Sequence, residues 1–495
     1  MEKVYGRFAL IISKKNDVYV KVDVEPNIAR ELVDFFTFEV PGAKFMPTYK
    51  SRVWDGKIRL YNQMNGEIYF GLVPYVEEFA NRNDIKIEYK EGVKNESPTE
   101  HRVLDSFIRT VKPKSRGKTL QLRDYQRNAF LHAVGNNRSL LLSPTASGKS
   151  LIIYLLARWY ESNRVLILVP TTSLVEQMYS DFLDYGYLEA KMQKIYQGHS
   201  REITKEVTIS TWQSLYKMPR KYFEQFGCIL GDEVHQFKAK SLTNIMNKMH
   251  QTQYRHGFTG TLDGMQTHRL VLEGLFGSVN KVTSTKELME KKTLAKLNIK
   301  CIVLQYPDAD KKFMKDKDYQ EEVDLIVRDE RRNKFIVNLT KHLKGNTLVL
   351  FQFVEKHGSV LHDMFINSVD KERKVFYIWG GTDTLTREHI REITETQDNA
   401  IIVASYGTFS TGINIRNLHN VVFSSPSKSR IRVLQSIGRG LRTNKNKDGA
   451  TLLDIADDFT WKSRQNFTLR HFMERINIYN EEEFDYEIKN LPIES

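Results

Sequence analysis

The chain has 495 residues, is 40% hydrophobic and carries a formal net charge of +13. That length suggests about three or four domains, and no window approaches the roughly 18 apolar residues of a membrane-spanning helix. The two cysteines, Cys228 and Cys301, lack metal-ligand or redox spacing and no secretory leader is evident, so a soluble protein of a reducing, cytoplasmic compartment is expected, and the surplus of lysine and arginine favours a phosphate polyanion as partner.

Residues 1–90 predict a small α/β module. Val18, Val20, Val22 and Val24 alternate as a half-buried strand should, and Pro26 opens a helix with Ile28, Leu32, Phe35 and Phe36 at helical spacing. Lys57–Tyr61 and Glu67–Phe70 flank Met64, Asn65 and Gly66, a hairpin signal because Asn-Gly tolerates the positive φ angles of tight turns. Lys44, Lys50, Arg52, Lys57 and Arg59 interleave with Phe45, Tyr49, Trp54 and Tyr61. Cations supply phosphate affinity and aromatic rings stack on exposed bases, which makes this face a candidate nucleic-acid surface. The alternative for Phe45 and Trp54 is burial beside the hairpin. Residues 91–118 turn polar and end in the run Lys112–Lys118, which reads as a basic linker.

From 119 to 285, short apolar runs alternate with helical stretches: Ser139–Leu142, Val165–Val169, Val207–Ser210, Cys228–Leu230 and Tyr254–Thr259. Such alternation predicts a parallel sheet covered by helices. Ser143, Pro144, Thr145, Ala146, Ser147, Gly148, Lys149 and Ser150 approximate a phosphate-binding loop, with Ser143 in place of its first glycine. A strand delivers the loop and a helix starting near Lys149 points its amide groups at phosphate, Lys149 reaches the β- and γ-phosphates, and Ser150 can ligate magnesium. The other reading is an ordinary strand-to-helix turn with a serine cap. Asp232 and Glu233 directly follow an apolar strand, the place for a magnesium ligand and a group that orients and deprotonates the attacking water. Upstream, Arg123 and Gln126 begin a predicted helix, where the Gln126 amide can read an adenine edge.

A second series of strands follows over 286–458: Ile299–Leu304, Thr347–Phe351, Val375–Ile378, Ala400–Ala404, Asn420–Phe423 and Thr451–Ile455. Gln435, Gly438, Arg439 and Arg442 supply arginines of the kind that meet a γ-phosphate from a second domain. Residues 459–495 read as a mixed-charge, helical extension without a usable motif.

Taken in order, these segments resemble the superfamily 2 DExH helicases, in which two RecA-like domains close on ATP. Arg123 and Gln126 resemble the Q-motif, residues 143–150 motif I, and Pro170–Gln177 motif Ia. Thr208–Gln213 resembles motif Ic, Asp232–His235 the DExH box, and Thr259–Thr261 motif III. Val349–Phe351 is similar to motif IV, Gly407 through Gly412 and Asn414 to motif V, and Gln435–Arg442 to motif VI. A closer likeness, to the UvsW-type recombination and repair helicases of T-even-like bacteriophages, takes in Phe45–Pro47, Val53–Leu60, Phe70–Val73, Tyr306–Asp308, Tyr319–Glu322 and Ala404–Gly412. The resemblance implies an α/β fold of two tandem RecA-like parallel-sheet domains behind a small α/β nucleic-acid-binding domain.

It further implies an ATP-dependent, monomeric DNA motor that remodels branched DNA by branch migration, fork regression or unwinding of D-loops and R-loops. In that family Lys149 binds phosphate, Ser150 and Asp232 hold Mg²⁺, Glu233 is the general base, and Arg442 with Arg439 stabilises the γ-phosphate. Gly412 and Asn414 fall in the nucleotide-binding set. Thr171, Thr172, Thr211, Thr408 and Ser410 become candidate phosphate contacts to a strand crossing both domains; each would serve equally as a strand-end cap. An RNA helicase, a passive nucleotide-switched binder and a restriction-enzyme motor subunit remain as rival expectations.

Overall fold

In the computed structural model, which describes residues 9–94, 99–115, 117–236, 239–262, 266–412, 415, 417–427, 429, 433–434, 436–438 and 449–493, the chain forms two compact units. One comprises Met1–Ser143 with Gly148–Val282, the other Pro144–Ser147 with Thr283–Ser495.

The alternating valines do form a strand: Val18, Val20 and Val22 point inward around Tyr19–Asp23, within a five-stranded sheet. Its order is Tyr61–Asn62, Glu67–Tyr69, Tyr19–Asp23, Ala9–Lys14, Lys86–Tyr89. Helices Pro26–Phe35 and Val73–Arg82 cover it and bury Ile28, Leu32, Val76 and Phe79. The hairpin turns at Gly66, whose φ is +71° and whose added Cβ would lie 2.8 Å from the Val22 carbonyl oxygen. Its expected first arm is divided, however. Lys57–Arg59 pairs with Thr37–Glu39, and only Tyr61–Asn62 pairs with Glu67–Tyr69. Leu60 and Tyr61 are both buried, which one continuously alternating strand does not allow.

The segment 91–118, expected as a linker, contains a helix, His101–Val111, and a short hairpin, Lys114–Ser115 with Lys118–Thr119. Leu104 is fully buried in the core of the first parallel-sheet domain, the one the resemblance would make the first motor domain, and Phe107 lies against Phe130 and Trp159. The apolar residues Val103, Leu104, Phe107, Ile108 and Val111 have helical spacing, which the surrounding charge obscures in the sequence.

The first motor domain is a seven-stranded, wholly parallel sheet. Its order is Met192–Ile195, Val207–Thr211, Val165–Val169, Cys228–Gly231, Tyr254–Thr259, Arg138–Leu142, Val279–Lys281. The five inner strands are those expected from their apolar runs. The two outer ones, Met192–Ile195 and Val279–Lys281, are edge strands with too few apolar residues to declare themselves. A second parallel sheet of seven strands forms the other unit, in the order Val375–Ile378, Ile401–Ser405, Thr347–Phe351, Asn420–Phe423, Gly449–Asp458, Lys296–Gln305, Tyr486–Pro492. The C-terminal extension is therefore helical only in part. After the helix Phe467–Glu481 it returns as an edge strand, pairing Ile299 with Tyr486 through Gln305 with Pro492.

The N-terminal module is built against the first motor domain within one unit. Gly71 sits so close to the backbone of Glu273 and Gly274 that an added Cβ would lie 2.0 Å from the Glu273 carbonyl oxygen. Tyr75 donates to Glu273 (2.6 Å), Arg138 donates to the Asp17 carbonyl oxygen (2.8 Å), and Leu270 enters the core of the module.

Candidate active site

Parallel register places the loops of the first motor domain at one end of its sheet: Leu142 aligns with Thr259, Leu168 with Gly231, and Val169 with Thr211. In such sheets ligands meet the carboxyl ends of the strands. Strand Arg138–Leu142 leads into the loop Ser143–Gly148 and then into helix Lys149–Trp159, in which every residue from Leu151 to Ala157 is buried. Ser143 donates its N–H to the Thr259 carbonyl oxygen (2.8 Å), and Ser147 donates to that of Pro144 (3.2 Å). Gly148 caps the helix at φ +82°, and a Cβ there would lie 2.3 Å from the Gln126 amide nitrogen. Gln126, buried, accepts from the Arg123 N–H (3.0 Å), so both residues stand beside the loop's glycine. Ala146 has φ +66°, a left-handed conformation that disfavours any side chain by about 1–2 kcal/mol.

Asp232 follows strand Cys228–Gly231 and donates its N–H to the Leu168 carbonyl oxygen (2.8 Å). The Lys149 ammonium lies 2.9 Å from Asp232 Oδ1 and 2.5 Å from Glu233 Oε1. Burial works against the charge on Lys149, but the two carboxylates outweigh it and hold its pKa above the usual lysine range. Burial also pushes Asp232 up from the ordinary carboxylate range, against the pull of Lys149. Glu233 adopts φ +49°, which turns it back over the loop after the strand, and its N–H donates to Asp232 Oδ1 (2.9 Å).

His235 joins this cluster to the third motif. Its Nδ1 lies 2.6 Å from Thr259 Oγ1 and 3.4 Å from Glu233 Oε2. The Thr259 hydroxyl donates its one proton to the Thr261 carbonyl oxygen (2.6 Å), so it must accept from His235, which fixes the proton on Nδ1. The chain Glu233–His235–Thr259–Thr261 thus links the carboxylate after strand Cys228–Gly231 to the end of the strand beside the loop Ser143–Gly148. Sequence reasoning missed one partner. Tyr185 places its hydroxyl 2.8 Å from Ser150 Oγ, and burial pushes that phenol up to about 12, so it stays protonated. No spacing rule connects a tyrosine 35 residues on to the loop serine. The donor set suits Mg²⁺, a hard ion that takes one or two protein oxygens together with phosphate and water: Asp232 offers a carboxylate and Ser150 a hydroxyl.

In the second unit the helix Tyr406–Gly412 follows strand Ile401–Ser405, and buried Thr408 accepts from Ser405 Oγ (2.8 Å). Asn414, Gln435, Arg439 and Arg442 lie outside the described residues, as does the side chain of Ser410.

Among the nucleic-acid candidates, Thr171 caps helix Thr172–Asp184 by accepting from the Leu174 N–H (3.3 Å), and Thr172 beside it is exposed. Thr211 is buried and shares a hydrogen bond with Ser214 (2.9 Å), while Gln213 donates to the Pro170 carbonyl oxygen (3.1 Å) and ties the two loops together. In the N-terminal module, Lys50, Arg52, Lys57 and Arg59 are all exposed, with Arg59 paired to Asp55 at 2.6 Å. Trp54 is half-buried and donates its indole N–H to the Lys57 carbonyl oxygen (2.8 Å), so it braces the lobe, and Tyr61 belongs to the core. Of the expected aromatics Phe45 does face outward, 81% exposed, together with Val53 (81%), Met46 (41%) and Met64 (98%).

Residues 12–90 match the family model described as DNA helicase UvsW, N-terminal; residues 119–264 match the type III restriction enzyme res subunit; residues 330–444 match the helicase conserved C-terminal domain. The chain is 36% identical over 496 residues to the ATP-dependent DNA helicase uvsW of Enterobacteria phage T4, across 96% of this chain and 97% of that one. The crystal structure of T4 UvsW aligns with a TM-score of 0.53 at 34% identity, over 98% of this chain and 100% of the other. A more distant relative, the DNA 3'-5' translocase XPB2 of Sulfurisphaera tokodaii, is 24% identical over 403 residues, covering 73% of this chain and 87% of its own.

Proposed function

Because the chain belongs to the UvsW family of ATP-dependent superfamily 2 DNA helicases, we propose that it uses ATP and Mg²⁺ to remodel branched DNA, as a monomeric motor in the cytoplasm of a host cell. Branch migration, fork regression and unwinding of D-loops and R-loops are the reactions meant. The observation that carries this reading is the exposed basic lobe of Lys50, Arg52, Lys57 and Arg59, tipped by Phe45 and Val53, on a module packed against the first motor domain. Cations there grip phosphates without reading sequence, and exposed apolar groups suit bases unstacked at a branch.

In hydrolysis, Lys149 turns from its two carboxylates to the β- and γ-phosphates. Glu233, relieved of Lys149, accepts the proton of the attacking water, and the His235–Thr259 bond holds the backbone on which it sits. Asp232 and Ser150 would hold the Mg²⁺, which would supply charge neutralisation on the phosphoryl oxygens. Arg439 and Arg442 balance the charge that develops on the γ-phosphate, with Gln435, Gly412 and Asn414 completing the nucleotide contacts. Thr171, Thr172, Thr211, Thr408 and Ser410 track the strand backbone through hydroxyls and amides.

ATP hydrolysis measured without nucleic acid, with single-stranded DNA, with a four-way DNA junction and with a matched RNA tests the reading, with Glu233→Gln as blank. Greatest stimulation by the junction is expected. Preference for RNA would replace the proposal with an RNA helicase, and absence of stimulated turnover would leave a nucleotide-switched binder. Changing Lys50, Arg52 and Lys57 together to alanine should weaken junction binding and flatten its salt dependence by about two to three in log–log slope. An unchanged slope would remove the lobe from the DNA path.

A further inference from the structure

The turn Ser424–Ser427 connects strand Asn420–Phe423 to the segment that carries Gln435, Arg439 and Arg442, and buried side chains grip it at four points. Arg332 donates to the Ser424 carbonyl oxygen (2.8 Å), and Tyr406, the residue before the fifth motif, donates to that of Ser425 (3.2 Å). The Ser425 hydroxyl meets His357 Nδ1 (2.8 Å) and accepts from the Gln352 N–H (3.1 Å). Arg475 donates to the Ser427 carbonyl oxygen at 2.7 Å. Arg332, His357, Tyr406 and Arg475 are each 3% exposed or less.

Arg475 is the unexpected member, because it comes from the C-terminal helix Phe467–Glu481, a part of the chain without a motif. Its Nε and Nη2 fork onto Asp454 at 2.8 and 2.7 Å, and Tyr479 donates to the same carboxylate at 2.7 Å. The bidentate pair leaves Nη1 aimed in one direction, and the Ser427 carbonyl oxygen is there. Three residues along the same strand, Asp457 accepts a single bond from Arg332 Nε at 2.7 Å. Such buried pairs add little net stability over well-packed apolar side chains, so a fixed direction is the better account of their presence.

We propose that Arg475 is a positioning residue for ATP hydrolysis: it fixes the Ser427 carbonyl and so the point from which the chain enters the segment bearing Arg439 and Arg442. The C-terminal helix is then part of the second domain's catalytic apparatus. This rests on the reading of Arg439 and Arg442 as γ-phosphate arginines.

The test is a double-mutant cycle on the full chain, following DNA-stimulated kcat, KM for ATP and thermal melting. Arg475→Lys keeps a cation for Asp454 but lacks the fork that reaches Ser427 as well. It should lower kcat about tenfold with KM unchanged. Arg442→Ala should lower kcat by about 10³. The double variant should be no slower than Arg442→Ala, because both changes act through one group. Tyr479→Phe, which only loosens Asp454, should lower kcat in the same direction by a smaller factor and guards against misfolding of the lysine variant. Wild-type kcat in Arg475→Lys and in Tyr479→Phe, or losses that multiply in the double variant, would overturn the proposal. Wild-type turnover in Arg442→Ala would instead overturn the underlying reading of the arginines.

Discussion

The motor core of two parallel sheets carries an addition at each end of the chain, and the two are attached by different physical means. The N-terminal module meets the first motor domain through glycine: Gly71 lies against the Glu273 and Gly274 backbone, and Gly274 lies against the Tyr69 ring. The C-terminal helix meets its own sheet through buried charge, with Arg475 on Asp454 and Arg332 on Asp457 nearby. Close backbone approach gives a broad, rigid seam that fixes one body on another but singles out no atom. A forked guanidinium gives a narrow attachment that fixes one carbonyl in space. On the proposed reading, the first would suit a DNA-binding lobe that moves as one with its domain, and the second a turn that presents the proposed γ-phosphate arginines.

The largest expected effect breaks the charged attachment. Arg475→Met leaves Asp454 buried beside Tyr479 with no cation, and uncompensated buried charge of this kind destabilises by about 3–5 kcal/mol. Calorimetry or denaturant unfolding should show the loss in the second unit. An unchanged transition would mean that apolar packing alone holds that region, and the contrast between the two attachments would fall.

Gly71→Ala attacks the other seam. Its methyl would meet the Glu273 carbonyl oxygen at 2.0 Å and that of Gly274 at 2.8 Å, both backbone atoms that cannot swing aside. Overpacking at such a site destabilises by about 1–3 kcal/mol. Junction-stimulated ATPase should fall more than ATPase stimulated by single-stranded DNA, because the lobe loses its fixed place before the motor loses its fold. Equal loss with both DNAs would show that the seam serves stability only.

These attachments also mark the limit of what the sequence made legible. The phosphate loop, Asp232 and Glu233 were readable because each is a short local pattern at the end of an apolar strand. Tyr185 was not, since it reaches the site from the end of another helix, and Thr259, though read as motif III, gave no sign of its bond to His235. Trp54 was ambiguous for a physical reason: its ring is half-buried and its N–H is satisfied by Lys57, so composition could not choose between core and DNA. The C-terminal strand Tyr486–Pro492 escaped because it is an exposed edge with no apolar alternation, and the helix His101–Val111 because charge masked its stripe. Gly274 carries no local signal, and Gly71, though part of the Phe70–Val73 likeness, shows its role only where two elements touch.

Tyr75→Phe makes the smallest change and separates packing from hydrogen bonding at the N-terminal seam. The phenol donates to Glu273 at 2.6 Å, and the same carboxylate receives Arg269 Nε at 2.6 Å, so removing the hydroxyl leaves Glu273 partnered. The expected loss is therefore only about 1 kcal/mol, with junction dependence intact. Burial first, and Glu273 second, push the Tyr75 hydroxyl up to about 12 in the folded protein, above the ordinary value near 10. Its contribution is then fully present below pH 10 and lost as pH rises from 10 towards 12, because the unfolded chain gives up the proton first. The side chain is partly exposed, so solvent trims the effect, but its sign is fixed. Stability curves of wild type and Tyr75→Phe should converge across that alkaline window. Curves that stay parallel would assign the seam to its glycines and Leu270 and leave the Tyr75–Glu273 bond without a share in docking.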